Sequence, residues 1–534
     1  MSKFIDKKPA TILWAISLIG AVLAVGLTKL ANNDIWWQLG AGKFISNTLT
    51  IPRYDIFSYT AGSAKWVNPE WLFQVFIWNL FDLTGPACFT IIKLIATAFV
   101  ALTLFKTTDL LVRNKNTAMW SAFMVLIAFS DRIMVRPHLF SIMMVPFFCL
   151  QLHKFRLDGR RLPWELPLLS VIWINMHGGA IMAPLIVAAF AAGETIQYLT
   201  ARWVKEISHT SILRRKIISL WITVLLCIVA CCITPHGIEL ILFPFQVSDL
   251  SSILRFTNEW GSVFEPRMDR VTTQIVLRII LVILMISYFV GRKHVRFSYL
   301  MLSILTSYLL LKGRRFSSYF VIINMPIIFY NFKGLASRMK MDPMKSNGRA
   351  YVSILIVTTL SVVFLKYGIP ATIDGGRVGH PGIGMTQEGN IPAVQFIIDN
   401  NIRGRIYNEM EVGGHLMYAR GPEEKVFIDG RTALYGDEFF MDYINSMRNR
   451  RFFQELDHRY EFDYILMGGI SAWRRRHMHR YLWEDPQWKL VYGARDGFVY
   501  VRDIEKFGRL TTLKIHPLIE EMRHGDMNKV NIKY

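Results

Sequence analysis

The sequence predicts a polytopic α-helical membrane protein of about eleven spans with a C-terminal extracytoplasmic α/β domain. Three observations predict it. First, the 534 residues are 52% hydrophobic and only 19% charged, below the ~25% charged content of an average soluble domain, so a disordered or strongly solvated chain is excluded. Second, the formal net charge of +21 lies wholly in the apolar part. Residues 370–534 hold 23 basic and 23 acidic side chains, leaving 38 and 17 in residues 1–369. A nucleic-acid surface needs its basic side chains on one face of a folded domain, so nucleic acid is excluded as a partner. Third, the long apolar runs stop at Pro370 and short alternating elements follow.

Crossing a bilayer takes about 20 apolar residues in a helix. Runs near that length or shorter occur at Ala10–Leu30, Ala87–Phe105, Ala118–Phe129, Leu139–Leu152, Leu162–Ile174, Ala180–Leu199, Ile217–Ile233, Val271–Val290, Phe297–Leu311, Phe316–Tyr330 and Tyr351–Gly368. Runs of about 10–14 residues are equally open to being re-entrant or buried helices. The segments between them alternate in charge. One set is the N-terminal tail with Lys106–Lys115, Lys154–Arg161, Arg202–Lys216, Arg292–Arg296 and Lys333–Arg349. It holds 23 basic residues and five acids. Basic loops stay in the cytoplasm, so the N-terminus is expected there and the C-terminal domain beyond the membrane, in a bacterial inner membrane. The first run lacks a small-residue cleavage site, so it is expected to be a retained anchor rather than a removed signal. All five cysteines fall inside apolar runs, which excludes a disulfide framework. The expected domains are residues 1–369, with a long first outer loop at 31–86, and residues 370–534.

The outer loops then form one polar surface. Asp34 lies within a turn of the first run, where a carboxylate is costly and functional by default. The same loop offers Asp55 and Glu70, and a helix over Trp71–Asp82. Its polar residues Gln74, Asn79 and Asp82 fall within roughly 140° of one another, as in a helix lying in the interface. Further along come Arg136, His138, Asn175, His177 before a Gly-Gly break, Glu259, Arg314 and Arg315. Arginines on an outer loop break the positive-inside pattern, and their forked guanidinium suits phosphate. Carboxylates, imidazoles and arginines at the membrane boundary fit a lipid-phosphate substrate.

Beyond Pro370 the pattern predicts helices at Ala393–Asn400, Gly413–Ala419, Asp437–Arg448, Phe452–Tyr460 and near Ala472–Leu482. Strands are expected at Arg405–Asn408, Lys425–Ile428 and Tyr464–Met467, with a closing hairpin at Lys489–Tyr492 and Phe498–Val501. Alternating elements of this kind form an open α/β sheet. Asp429 and Arg431 end one of these strands, where such sheets bind ligands; the same residues also describe a turn with a structural ion pair. Gly413-Gly414 is a candidate anion cradle.

Asp34-Ile-Trp-Trp-Gln-Leu-Gly, Tyr54-Asp-Ile-Phe-Ser-Tyr-Thr, Asn68-Pro-Glu-Trp, Trp173-Ile-Asn-Met-His-Gly and Phe427-Ile-Asp-Gly-Arg resemble the GT-C superfamily of membrane glycosyltransferases. That superfamily includes protein mannosyltransferases, oligosaccharyltransferases and the aminoarabinose transferases acting on lipid A. The match is more specific to a bacterial group of GT-C-like membrane proteins and spans most of the chain. The resemblance implies a sugar donor carried on a polyprenyl phosphate and transfer on the non-cytoplasmic side. It also implies an acid in the first outer loop, here Asp34, acting as base or binding the acceptor. The sequence departs from the mannosyltransferases in having one acid there rather than an adjacent pair. It lacks the oligosaccharyltransferase Trp-Trp-Asp order, because Trp36-Trp37 follow the aspartate; a divalent metal therefore has no clear motif and its identity stays unknown.

The expected function is glycosyl transfer from a lipid-linked sugar donor to a glycan, lipid or protein acceptor, in contact with membrane lipids. Asp34 is the expected catalytic residue. Asp55, Glu70, Arg136, His138, Asn175, His177, Glu259, Arg314 and Arg315 are expected to bind substrate, and Asp429 and Arg431 are the outer-domain candidates. Two alternatives stay open. A transporter or lipid flippase needs polar residues in mid-span, where Lys93 and Arg278 are the visible charges. A non-catalytic GT-C-like scaffold would bind envelope glycans through its outer domain.

Overall fold

The structure is a computed structural model that describes residues 9–62, 64–128, 130–158, 163–203, 210–248, 258–265, 272–338, 347–367, 381–386, 392–469, 476–494 and 496–514. Its contacts divide the chain into two units. One comprises residues 1–31, 84–244 and 257–384; the other comprises 32–83, 245–256 and 385–534. The first outer loop thus groups with the C-terminal segment, a division that a single cut at Pro370 does not produce.

The first unit is helical. It contains α1 (Pro9–Gly26), α4 (Ala87–Val112), α5 (Lys115–Ala128), α6 (His138–Asp158), α7 (Glu165–Met176), α8 (Met182–Trp203) and α9 (Thr210–Cys231), then α11 (Thr272–Val290), α12 (Phe297–Lys312), α13 (Ser317–Arg338) and α14 (Asn347–Tyr367). Helices α2 (Asp34–Thr48), α3 (Trp71–Thr84), α15 (Pro392–Asp399), α16 (Met410–Arg420), α17 (Gly436–Ser446), α18 (Arg450–Tyr460) and α19 (Arg476–Glu484) belong to the other unit, and α10 (Ile238–Ser248) runs across the division. Each of the eleven apolar runs of the sequence falls on one of these helices. By length and composition, Ala87–Val112 and Gly178–Trp203 are able to cross a membrane unaided. Helix α1 packs on α14 and α4, α4 on α5 and α6, α8 on α9 and α12, and α13 on α11 and α12.

The packing is inverted relative to a water-soluble bundle. On α11, Ile279, Val282, Ile286 and Phe289 are exposed while Gln274 and Ser287 are buried. An all-apolar outer face is stable in lipid and a liability in water. Inside, polar side chains join helices directly. Ser303 Oγ donates to Asn324 Oδ1 at 2.6 Å, and Asn324 Nδ2 donates to Thr306 Oγ1 at 2.8 Å. Ser17 and Thr358 share a hydrogen bond of 2.8 Å between α1 and α14. The two mid-span charges are likewise taken up locally. Lys93 Nζ donates to Thr28 Oγ1 at 2.7 Å, and Arg278 Nε donates to the Val263 carbonyl at 2.7 Å.

The second unit is built on a four-stranded mixed sheet. Its strands are β1 (Ile406–Asn408), β2 (Tyr464–Gly468), β3 (Trp488–Ala494) and β4 (Gly497–Arg502), in the order β1-β2-β4-β3. β1 and β2 are parallel, and the closing hairpin is antiparallel as expected. Around the sheet lie α15 (Pro392–Asp399), α16 (Met410–Arg420), α17 (Gly436–Ser446), α18 (Arg450–Tyr460) and α19 (Arg476–Glu484). The expected helix near Ala472–Leu482 corresponds to α19, with residues 470–475 outside the described residues.

One expected strand is absent from this sheet. Within Lys425–Ile428, Val426 forms only an isolated parallel bridge with Ser58 of the first outer loop. The side chain of Asn408 accounts for this. It accepts from Phe427 N at 2.9 Å and donates to Ile428 O at 2.7 Å, so backbone groups that a ladder needs are already engaged.

The outer loop itself folds as α2 (Asp34–Thr48) and α3 (Trp71–Thr84). α3 forms where its apolar run predicts, but Gln74 does not join an outer polar stripe. It is fully buried and exchanges hydrogen bonds with Asn68 at 2.7 and 3.2 Å. α2 lies against α16, and glycines set the spacing. A Cβ on Gly42 would stand 2.1 Å from Gln74 O of α3, and one on Gly413 would stand 1.9 Å from Ile428 O. Gly413-Gly414 therefore sit inside a helix as a close-packing surface rather than ahead of one as an anion cradle. Their service is steric. Replacing Gly413 with Ala should lower stability by about 1–3 kcal/mol through overpacking, read as a lower thermal midpoint of the detergent-solubilised chain; an unchanged midpoint would contradict the close approach.

Candidate functional site

Two clusters of polar side chains stand out, one in each unit. In the second unit, Asp34 opens α2 directly after α1 and is half-buried. Its backbone N–H donates to Asn32 Oδ1 at 3.1 Å. Gly430 passes close by: a Cβ there would be 2.8 Å from Trp37 Nε1 and 3.4 Å from Asp34 Oδ1. The turn Asp429-Gly430-Arg431 is thus the wall against which the Asp34 carboxylate sits. Glu70 lies on the same side of α2, because Gln38, one turn after Asp34, donates to its Oε2.

Behind that wall is a closed ionic network. Arg431 donates from Nη1 to Asp55 Oδ1 at 2.7 Å, from Nε to Asp429 Oδ1 at 2.9 Å and from Nη2 to Asp429 Oδ2 at 2.6 Å. Tyr435 O–H donates to Asp429 Oδ2 at 3.0 Å, and Asp55 accepts from the N–H groups of Phe57 and Ser58. The guanidinium also lies 4.6 Å from the centre of the Trp66 ring. Both carboxylates are fully buried and the arginine side chain is 3% exposed. Burial alone would lower the Arg431 pKa, but Asp429 and Asp55 raise it above its ordinary value, so it stays charged. Tyr435 is pushed well up by burial and by Asp429 and remains a donor. With their hydrogen-bonding atoms engaged on each other, Asp55, Asp429 and Arg431 position the turn beside Asp34 and present little surface to a ligand.

His415, which the sequence did not single out, stacks on Trp36 with ring centres 4.1 Å apart and planes within 1°. Burial pulls its pKa down to about 4, so at neutral pH this is a stack of two uncharged rings.

In the first unit, arginines gather around one carboxylate. Glu259 Oε1 accepts from Arg132 Nη1 at 3.1 Å and from Arg136 Nη1 at 3.3 Å. Arg315 stacks on the neighbouring Trp260, 4.2 Å from the ring centre. His138 Nε2 is 2.9 Å from the Arg132 carbonyl. Arg314 is placed in the same short turn as Arg315, its N–H donating to Gly261 O at 3.0 Å. Burial alone would raise the Glu259 carboxyl, but Arg132, Arg136, His138 and Arg315 together hold it well below the ordinary carboxylate range. Arg132 was not among the sequence candidates. Its signal is its spacing, four residues before Arg136, which is shared with many structural arginines.

His177 lies nearby in chemistry but is differently engaged. Its Nδ1 accepts from Gly179 N at 3.2 Å and meets Ser141 Oγ at 2.7 Å, and Ser141 in turn accepts from Trp173 Nε1 at 2.6 Å. A backbone N–H can only donate, so Nδ1 is the acceptor and the neutral ring carries its proton on Nε2. Asn175 is a tie rather than a ligand group: its Nδ2 donates to the Val171 and Ile233 carbonyls, both at 2.8 Å. Among the described residues no group of three or more His, Cys, Asp or Glu side chains is arranged to hold a metal ion.

No protein-family model matches the chain, and no curated protein sequence matches it. Solved structures do. The oligosaccharyltransferase of Archaeoglobus fulgidus, tethered to an acceptor peptide containing the NVT sequon, aligns with a TM-score of 0.57 at 11% identity, over 95% of this chain and 75% of its own. The oligosaccharyltransferase AglB from the same organism, in complex with an inhibitory peptide and a dolichol-phosphate, aligns with a TM-score of 0.56 at 12% identity, over 94% and 75%. ArnT from Cupriavidus metallidurans bound to undecaprenyl phosphate aligns over 92% and 97% with a TM-score of 0.48 at 10% identity. These neighbours are GT-C superfamily membrane glycosyltransferases. The chain shares the fold of the oligosaccharyltransferase, a polytopic helical membrane domain with a C-terminal domain.

Two outcomes test the clusters. Arg431→Met strands two buried carboxylates and should cost about 3–5 kcal/mol, seen as a large fall in thermal midpoint. For Glu259 the folded pKa is depressed, so its contribution is present above the ordinary carboxylate range and lost as pH falls below it. Thermal midpoints measured between neutral and acid pH should therefore fall less steeply in Glu259→Gln than in the parent chain; parallel curves would contradict the pairing.

Proposed function

We propose that the chain is a glycosyltransferase that moves a sugar from a polyprenyl-phosphate-linked donor to an acceptor at the outer face of the bacterial inner membrane. The observation that carries it is the half-buried Asp34 carboxylate at the start of α2, immediately after the first apolar helix, in a GT-C fold. A dolichol-phosphate is bound by a neighbour of the same fold, which supports a lipid phosphate carrier here. The eleven apolar helices are assigned as eleven spans, with the N-terminus cytoplasmic and the C-terminal domain outside.

The chemistry follows from these groups. The acceptor's nucleophilic atom gives its proton to Asp34 Oδ1 and forms a bond to the anomeric carbon. The bond from that carbon to the phosphate oxygen breaks, and its electron pair leaves with the lipid phosphate. A positioned base contributes about 10²–10⁴-fold to such a step. Cations offset the charge that develops on the departing phosphate. Within the first unit, Glu259 keeps Arg132 and Arg136 oriented. The departing group is already a stable anion, so no acid is required on that side. Lys93 and Arg278, the charges a transport path would use, are both bonded to groups of their own unit, which favours transfer over transport.

Full-length protein in nanodiscs carrying a polyprenyl-phosphate-linked hexose should release polyprenyl phosphate when supplied with envelope glycan or lipid acceptors. Asp34→Asn should lower that rate at least 10²-fold with the thermal midpoint unchanged. Solute or lipid translocation without a glycosyl product, or full activity in Asp34→Asn, would sink the assignment.

A further inference from the structure

Asp34, Trp37 and Gln38 stand at positions i, i+3 and i+4 of α2 and so share one face of the helix. Trp36 is on the opposite side, stacked on His415, and belongs to the packing. On the shared face two polar atoms are buried without a partner among the described residues: Trp37 Nε1, a donor, and Gln38 Oε1, an acceptor. Gln38 is 2% exposed, and its amide nitrogen is engaged by Glu70, which fixes the carbonyl oxygen on the other side of the amide. A buried donor or acceptor left unpaired costs about 1–3 kcal/mol. Two such groups of opposite polarity within one turn, beside a carboxylate, define a ligand chemistry.

The geometry narrows it. Gly430 leaves bare the strip of backbone that faces both the indole N–H and Asp34, where a Cβ would come within 2.8 Å and 3.4 Å of them. An anionic acceptor is opposed by the two carboxylates of Asp34 and Glu70. A cationic one has nothing to offer the indole N–H, which needs a lone pair. A hydroxyl has both functions: it donates its proton to Asp34 and accepts from Trp37. Gln38 Oε1 then takes a proton from a second hydroxyl of the same molecule.

We propose that this face of α2 binds the acceptor as a neutral polyol, with one hydroxyl held between Trp37 and Asp34 as the nucleophile and a neighbouring hydroxyl on Gln38. Trp37 and Gln38 thereby select a sugar-like acceptor. The proposal rests on Asp34 being the base, and its test separates the two.

Full-length protein labelled with 15N-tryptophan, held in nanodiscs, has fifteen indole groups, so the Trp37 signal is assigned by its loss in Trp37→Phe. It is titrated with glycerol, methyl β-glucoside and methyl α-mannoside, and in parallel with inorganic phosphate and N-acetylasparaginamide. The expected result is a saturable shift of the Trp37 Nε1–H signal with a polyol and none with phosphate. Gln38→Met and Gly430→Ala should each weaken the polyol response about three- to tenfold, the scale of one neutral hydrogen bond. A shift with phosphate or the amide but not with polyols overturns the proposal. So does the absence of a polyol shift up to about 100 mM, some hundredfold above a millimolar Kd. In Asp34→Asn, a polyol shift that persists while transfer is lost supports both assignments. A persisting shift with full transfer removes the base and keeps the polyol site. Lost transfer in Asp34→Asn, with no shift in the parent chain, removes the polyol site and keeps the base.

Discussion

The buried arrangement of Asp55, Arg431 and Asp429 is the constraint on which the second unit depends. Two carboxylates and one guanidinium without water are tolerable only if almost every lone pair and N–H is matched. Here they are matched by Tyr435, by backbone N–H groups of the first loop and by the Trp66 ring. The network leaves one conformation for the turn that carries Gly430. That conformation puts bare backbone, rather than a side chain, against Trp37 and Asp34. The half-buried acid at the start of α2 therefore owes its surroundings to residues that do not themselves reach a substrate.

The first unit solves a different problem with a similar device. Three arginines beside one glutamate would repel one another if they were left in apolar surroundings. Glu259 holds two by their Nη1 atoms, and the Trp260 ring offers its face to the third.

The helices were legible because a long apolar run has few other meanings than a helix, and the alternation of loop charge needs no structure to be seen. Most elements of the outer domain were legible for the same kind of reason: apolar period and turn residues agree there. The strand expected at Lys425–Ile428 failed because the alternation of that segment is satisfied equally well by Asn408 acting as a surrogate strand edge. Site residues were less legible. Asp55 looks like a binding group in sequence, and Asp429 and Arg431 read equally as ligand groups or as a structural ion pair, since nothing in a linear reading tells a buried charge from an exposed one. Asn175 reads as a polar mouth residue but spends its amide on two carbonyls. Trp37 and Gln38 stand in the Asp34-Ile-Trp-Trp-Gln-Leu-Gly motif, but only α2 places them on the side of Asp34.

The Asp55–Arg431 contact joins residues 376 positions apart in the chain, and most of the first unit's helices are translated between them. At about 5–20 residues per second, the interval between the two partners leaving the ribosome is about 20–75 s. During that time the first loop has emerged with its aspartate, its apolar α3 and its glycine-lined α2, but without the segment that completes their core. The loop is therefore an early product that waits for a late one. Its maturation is tied to the synthesis of every helix in between, because Arg431 is translated only after them.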